Sequence, residues 1–189
     1  SGSIATTSDA VRVFSFTIRD GGASADGDAL PTILSSITFD KGTNNGVTSW
    51  ASTIREAALF DGSTKVAEIS VSGETIAFTG LSGSNVTAAD NGTKTLDLYL
   101  TFESTVTDNQ QLQFQIQSAN VANAASGSSS FTSFSAVASS VAGDANRIEV
   151  TATKLAFVQQ PSNVAVNNAI SPVVTVAAND DNNNRDLDY

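Results

Sequence analysis

The chain has 189 residues, with 9 Lys and Arg against 19 Asp and Glu and a formal net charge of −10. That excess of anions repels nucleic-acid phosphates and anionic membranes, so neither is an expected partner. With no histidine and no cysteine in the chain, a Ser-His-Asp triad, a His-ligated zinc site and a disulfide scaffold are all excluded. No run approaches the roughly 18 apolar residues of a membrane-spanning helix, so direct membrane insertion is not expected. A hydrophobic content of 40%, arranged in clear alternation, separates the chain from disordered polymers. Ser1-Gly2-Ser3 and the lack of methionine read as a piece cut from a longer protein.

Val11 to Arg19 alternates, with Phe14, Phe16 and Ile18 on one face and Ser15, Thr17 and Arg19 on the other, the pattern of a half-buried strand. Ile33 to Phe39 reads as the next strand, with Ile33, Ile37 and Phe39 sharing a face across Ser35. Thr48 to Ala58 is the helical candidate, because Trp50 and Ile54 stand four apart and Thr48 or Ser49 can cap the first turn. Leu59-Phe60, the turn Asp61-Gly62-Ser63, and Lys65 to Val71 make a hairpin. Thr75 to Thr79 is a short strand.

Leu96, Leu98, Leu100 and Phe102 alternate with polar residues, as do Leu112, Phe114 and Ile116. The two runs are expected to pair antiparallel, with one wet face. Phe131 to Val137 and Ile148 to Thr151 are weaker strand signals. The first 152 residues thus read as about eight short strands with turn-punctuated spacing, an all-β two-sheet β-sandwich with one short helix. Residues 153–189 are expected to be the incomplete start of a second module: a strand Lys154 to Gln160 ending at Pro161, another from Ser171 to Ala178, then an Asp/Asn-rich loop. The junction falls at Ala152-Thr153, with almost no linker, which favours a stiff array over flexible beads.

Two acidic loops stand out. Asp20, Asp26 and Asp28 share a loop with Gly21, Gly22 and Gly27. Calcium takes six to eight hard oxygens on a backbone able to wrap it, and glycine permits that wrapping. The loop reads either as a calcium site on those three carboxylates or as a solvated turn. In the second loop, Asp181, Asn183 and Asp186 could face one ion, but a turn rich in Asn and Asp explains it better. Asp97, Tyr99 and Glu103 share a strand face without defining a catalytic cleft. A row of Gln111, Gln113, Gln115 and Gln117 offers amides to sugar hydroxyls, with Tyr99 and Trp50 as candidate stacking platforms. Solvation or strand packing explains that row better. Asn85-Val86-Thr87 and Asn91-Gly92-Thr93 match a short glycosylation pattern.

Several segments together resemble a known family. They are Phe14-Ser15-Phe16-Thr17-Ile18-Arg19-Asp20, Asp28-Ala29-Leu30-Pro31-Thr32, Ser49-Trp50-Ala51 and Ala58-Leu59-Phe60-Asp61-Gly62. Thr93-Lys94-Thr95-Leu96-Asp97-Leu98, and Asp108-Asn109 before Leu112-Gln113-Phe114, belong with them. They resemble repeat modules of very large Bacteroidota surface proteins exported by the type IX secretion system, such as the flavobacterial gliding-motility adhesin. Lys154-Leu155-Ala156-Phe157 to Gln160-Pro161-Ser162 is similar to the start of the next such module. The resemblance implies immunoglobulin-like sandwiches in tandem, an extracellular cell-surface location and a non-enzymatic adhesive or stalk role. Its implied partners are neighbouring modules of the same chain and surface polysaccharide.

Overall fold

The computed structural model describes residues 3–21, 24–131, 137–138 and 146–189. Of the expected strand Phe131 to Val137, residues 132–136 lie outside the described set. The strands are β1 (Val11–Arg19), β2 (Thr32–Lys41), β3 (Ile54–Asp61), β4 (Thr64–Ser70), β5 (Ile76–Thr79) and β6 (Thr87–Ala88). They continue with β7 (Thr93–Phe102), β8 (Phe114–Ile116), β9 (Val121–Asn123), β10 (Val137–Ala138), β11 (Lys154–Gln159) and β12 (Thr175–Asn179). One sheet has the order β1-β7-β3-β4. The facing sheet has the order β10-β8-β2-β5, with β6 and β9 also paired to β2. All of these pairings are antiparallel. The fold is the all-β sandwich that the alternation implies.

The core forms where the two inner faces meet. Phe14 and Phe16 on β1 lie across from Phe39 on β2, with ring centroids 5.9 and 5.8 Å apart and edge-on geometry. Phe39 also meets Phe78 of β5 edge-on at 6.3 Å. Leu96, Leu98 and Leu100 of β7 and Ala57 and Leu59 of β3 complete the same layer, all fully buried. Edge-to-face rings add to the area term by aligning the positive ring edge with the negative face of the next.

Three expectations fail, each for a physical reason. Residues 48–58 are not a helix; among the described residues the only helical turns are three-residue 3-10 segments. The carbonyl of Trp50 accepts from the N–H groups of Thr53 and Ile54 at 3.1 and 2.8 Å, a single helical turn. β3 then begins at Ile54 and pairs with β4 on one side and β7 on the other. Ala, Leu and Glu favour a helix locally, but two flanking ladders override that preference. Second, β7 and the strand at Phe114 do not pair; β7 lies between β1 and β3, whereas β8 pairs with β2 and β10 in the other sheet. Third, the fully buried residues of β2 are Leu34, Ile37 and Phe39, not Ile33. A register shift between Leu34 and Ser36 changes which residues face inward.

Trp50 closes one end of the core. Its ring sits 4.9 Å from that of Phe114, and its indole N–H donates to Asn45 Oδ1 at 3.1 Å. Glu74 staples this turn, accepting from Ser49 Oγ and the Trp50 N–H at 2.9 and 3.0 Å and pairing with Lys41. The Lys41 contact, followed by the Trp50 N–H, lowers the Glu74 carboxyl from 4.5 to about 2. A carboxyl depressed in the folded state contributes stability above its unfolded value, and that contribution is lost as pH falls through the folded value. Thermal melts should therefore lose a Glu74-dependent increment between pH 4.5 and about 2. In Glu74→Gln that part of the acid slope should be missing; an unchanged slope would show that the staple carries no such linkage.

The outer face of β3 is also buried. Ile4 lies over Ala58 and Phe60, with Ala10 and Tyr99 packed alongside. Full burial of an isoleucine is worth roughly 1.5–3 kcal/mol, which offsets the ordering of only one or two residues at about 1–2 kcal/mol each. The segment before β1 is therefore a lightly held strap.

Candidate functional site

The first acidic group forms where the end of β1 meets the turn before β7. Arg19 pairs with Thr93, so Asp20 falls opposite Asp90-Asn91-Gly92. Asp20 is buried. Its Oδ1 accepts from the Thr32 hydroxyl at 2.6 Å and its Oδ2 from the Asn91 N–H at 2.8 Å. Asn91 Oδ1 accepts from the Asp26 N–H at 2.9 Å, which ties the far side of the loop back. Asn91 adopts the left-handed region at φ 57°, a conformation that asparagine tolerates better than most residues. A Cβ on Gly92 would come within 2.9 Å of the Ala89 carbonyl oxygen, so the turn requires glycine there.

Carboxylate oxygens of Asp20, Asp26 and Asp90 lie within 4.8 Å of one another. The sequence-derived trio is thus realised for Asp20 and Asp26, with Asp90 standing where Asp28 was expected. Asp28 instead accepts from the Leu30 N–H at 2.8 Å and the Ser129 hydroxyl at 2.7 Å, and these two bonds lower its carboxyl below the ordinary value. Asp26 moves the other way. Desolvation raises it first, and the nearby charges of Asp28, Asp20 and Asp90 push in the same direction. Each carboxylate oxygen has two lone pairs, so the bonds to Asp20 leave room for a hard cation.

The second group lies where the sandwich meets the β11–β12 hairpin. Asp108, in the loop between β7 and β8, is buried. Its Oδ1 accepts from the Val150 N–H and its Oδ2 from the Leu187 N–H, both at 2.8 Å. Asn184 is also buried. Its Oδ1 accepts from the Val106 N–H at 3.0 Å, and its Nδ2 donates to the Ser104 carbonyl at 2.9 Å. Asp186 accepts from the Ala152 N–H at 3.0 Å. The Thr153 N–H donates to the Asn179 carbonyl at 2.8 Å, so the hairpin ladder starts directly at the junction. Three side chains thus satisfy backbone donors on both sides of one joint.

Asp108, Asp186 and Asp188 also bring carboxylate oxygens within 4.8 Å of one another. This is not the expected set of Asp181, Asn183 and Asp186. Asp181 accepts from the Thr153 hydroxyl at 2.6 Å. Asn183, at φ 70°, helps form the turn from Asp180 to Asn184. That turn matches the better-supported reading of the loop. Burial opposes ionisation of Asp180, but the bonds from the Asn184 side chain and N–H outweigh it and lower its carboxyl.

The other candidates dissolve into structure. Gln113 is buried, and its side-chain oxygen accepts from the Asn44 N–H at 2.8 Å. The carbonyls of Gln111 and Gln113 accept from Gly46 and Gly42 at 2.7 and 2.8 Å, so this stretch holds the 42–46 turn rather than presenting an amide row. Trp50 is fully buried and Tyr99 packs edge-on against Phe60 at 5.0 Å, which removes both as open sugar platforms.

Fold and site together define an antiparallel β-sandwich joined without a linker to a separate β-hairpin, with acidic side chains concentrated at two loop clusters. No protein-family model matches the chain, and no curated protein or solved structure matches it.

Proposed function

We propose that this chain is a non-enzymatic structural module of a long, repetitive cell-surface protein, a spacer or stalk whose partners are the neighbouring modules of its own chain. The observation that carries this reading is the joint. Buried Asp108 and Asn184, together with Asp186, bind backbone donors of the sandwich and the hairpin at once. A joint with few free residues transmits direction from one unit to the next, which a spacer needs and an enzyme does not. The hairpin itself supports the reading. Leu155, Phe157 and Val176 share a face on the paired strands β11 and β12 and are 65%, 56% and 53% exposed. An isolated two-stranded hairpin is marginal in water, so such a face suits the first strands of a further sandwich. Proteolytic shaving of intact cells that express the full protein tests the location. Release of fragments containing this sequence is expected; its retention until lysis would overturn the surface assignment.

Calcium at Asp20, Asp26 and Asp90 would stiffen the loop at the β1 end. Without an ion, the raised Asp26 carboxyl means that its charged form is disfavoured in the folded state. Two results follow. Millimolar calcium should raise the melting temperature relative to chelator. Asp26→Asn should melt at or above the wild type in chelator, because a like charge is gone, and should no longer respond to calcium. Identical melts of the wild type with calcium and with chelator would remove the ion from the account.

A further inference from the structure

The strap before β1 occupies a slot that has the properties of a ligand site. Its floor is Ala58, Phe60 and Tyr99, on the outer face of the four-stranded sheet and apart from the inter-sheet core. Ile4 is the side chain buried in it. Glu68 forms one wall, with Oε1 accepting from the Ile4 N–H at 2.6 Å and Oε2 from the Ser3 hydroxyl at 2.9 Å. Burial opposes the charge on Glu68, but hydrogen bonds from Lys65, the Ile4 N–H and Ser3 outweigh it and hold the carboxyl below its ordinary value. On the same sheet face, two residues before Tyr99, Asp97 Oδ1 is buried without a hydrogen-bond partner, and the Arg12 guanidinium stands 3.8 Å away.

The strap has the properties of a separable ligand. Its turn is self-contained: the Asp9 N–H donates to the Thr6 carbonyl at 3.1 Å, and Asp9 Oδ2 accepts from the Thr6 N–H and hydroxyl at 2.8 and 3.0 Å. These bonds travel with the segment when it lifts. Ala10, at φ −149° and ψ 168°, is extended and joins the turn to β1. A segment with one buried anchor belongs to the low-stability end of a fold, where local opening is most frequent.

We propose that this slot is a peptide-binding site and that the Ser3–Ala10 strap exchanges reciprocally between two copies of the chain, each Ile4 entering the other copy's slot. The occupant is a second copy because the slot's chemistry is already matched by this strap: one aliphatic side chain, with an N–H and a hydroxyl directed at one carboxylate. Exchange of an identical element reproduces each of those contacts, which makes it a low-cost route to association.

The native chain has no cysteine, so a cross-link can be made specific. Ser3→Cys and Glu68→Cys are prepared as separate full-length proteins, mixed, and treated with a short bis-maleimide. The heterodimeric cross-link is expected to exceed both homodimers severalfold and to grow with concentration. The double variant Ser3→Cys/Glu68→Cys should bridge within one chain when dilute. A double variant that bridges in cis while the mixture gives no excess heterodimer overturns the exchange; a double variant that fails to bridge overturns the seating of the strap. A second measurement does not depend on those cysteines. Full-length Ile4→Asp, which ejects its own strap, is titrated with a synthetic peptide of residues 1–10. Saturable shifts of the Tyr99 ring resonances are expected, with at least tenfold weaker binding by the peptide carrying Ile4→Ala. A folded Ile4→Asp protein with no peptide-dependent shift overturns the site.

Discussion

Replacing Asp108 with alanine should destabilise the protein by about 2–5 kcal/mol, since two backbone N–H groups, each costing roughly 1–3 kcal/mol when buried without a partner, lose their acceptor together. Those groups belong to Val150, on the sandwich side of the junction, and to Leu187, beyond the hairpin. The damage should be uneven. Amide exchange in β11 and β12 should accelerate more than in β3 and β7, because the hairpin has few other attachments to the sandwich. Asp108→Asn keeps one acceptor oxygen and should lose roughly half as much, on the same per-group argument. Uniform acceleration across both sheets would mean that Asp108 supports the fold in general and does not act as a clamp.

Phe39→Ala should cost about 3–5 kcal/mol, the usual range for removing a fully buried phenylalanine. Phe39 is 0% exposed and lies edge-on to Phe14, Phe16 and Phe78, so its loss opens a cavity shared by both sheets. Phe157, also on a strand, is 56% exposed. Phe157→Ala should change stability by less than about 0.5 kcal/mol, as surface substitutions do. Urea denaturation of the two variants checks the contrast. Comparable losses would mean that the Phe157 face is covered in solution.

The sequence pattern carried the faces of strands better than their partners. Alternation alone placed Phe14, Phe16 and Ile18 and then Leu96, Leu98 and Leu100 inward, because a period of two fixes which side chains share a face. It could not reveal that β7 lies between β1 and β3, since pairing is decided by packing across long separations. The hairpin at Gly62 was legible because a two-residue loop needs a residue tolerant of positive φ, and Gly62 sits at 59°. The region from Trp50 to Ala58 misled through its composition; its helical preference survives as one turn and is then overruled by two neighbouring strands.

The acidic sites divide in the same way. Asp20 and Asp26 were visible because they share a loop. Asp90 was not, because it reaches them through the β1–β7 register. With Arg19 placed opposite Thr93, the Asp90-Asn91-Gly92 turn becomes the natural third side of that loop. At the joint, Asp108 and Asn184 are 76 positions apart (184 − 108), and nothing local to either marks it as the other's neighbour.

The central claim is that the sandwich and the C-terminal hairpin are held as one stiff unit by the Asp108, Asn184 and Asp186 clamp. Backbone nitrogen-15 relaxation on the intact chain tests it most directly. The account predicts order parameters in β11 and β12 near the rigid value of about 0.85, as in β3 and β7, with a single rotational correlation time. Values below about 0.6 in the hairpin, or a separate, faster correlation time for residues 154–189, would contradict it.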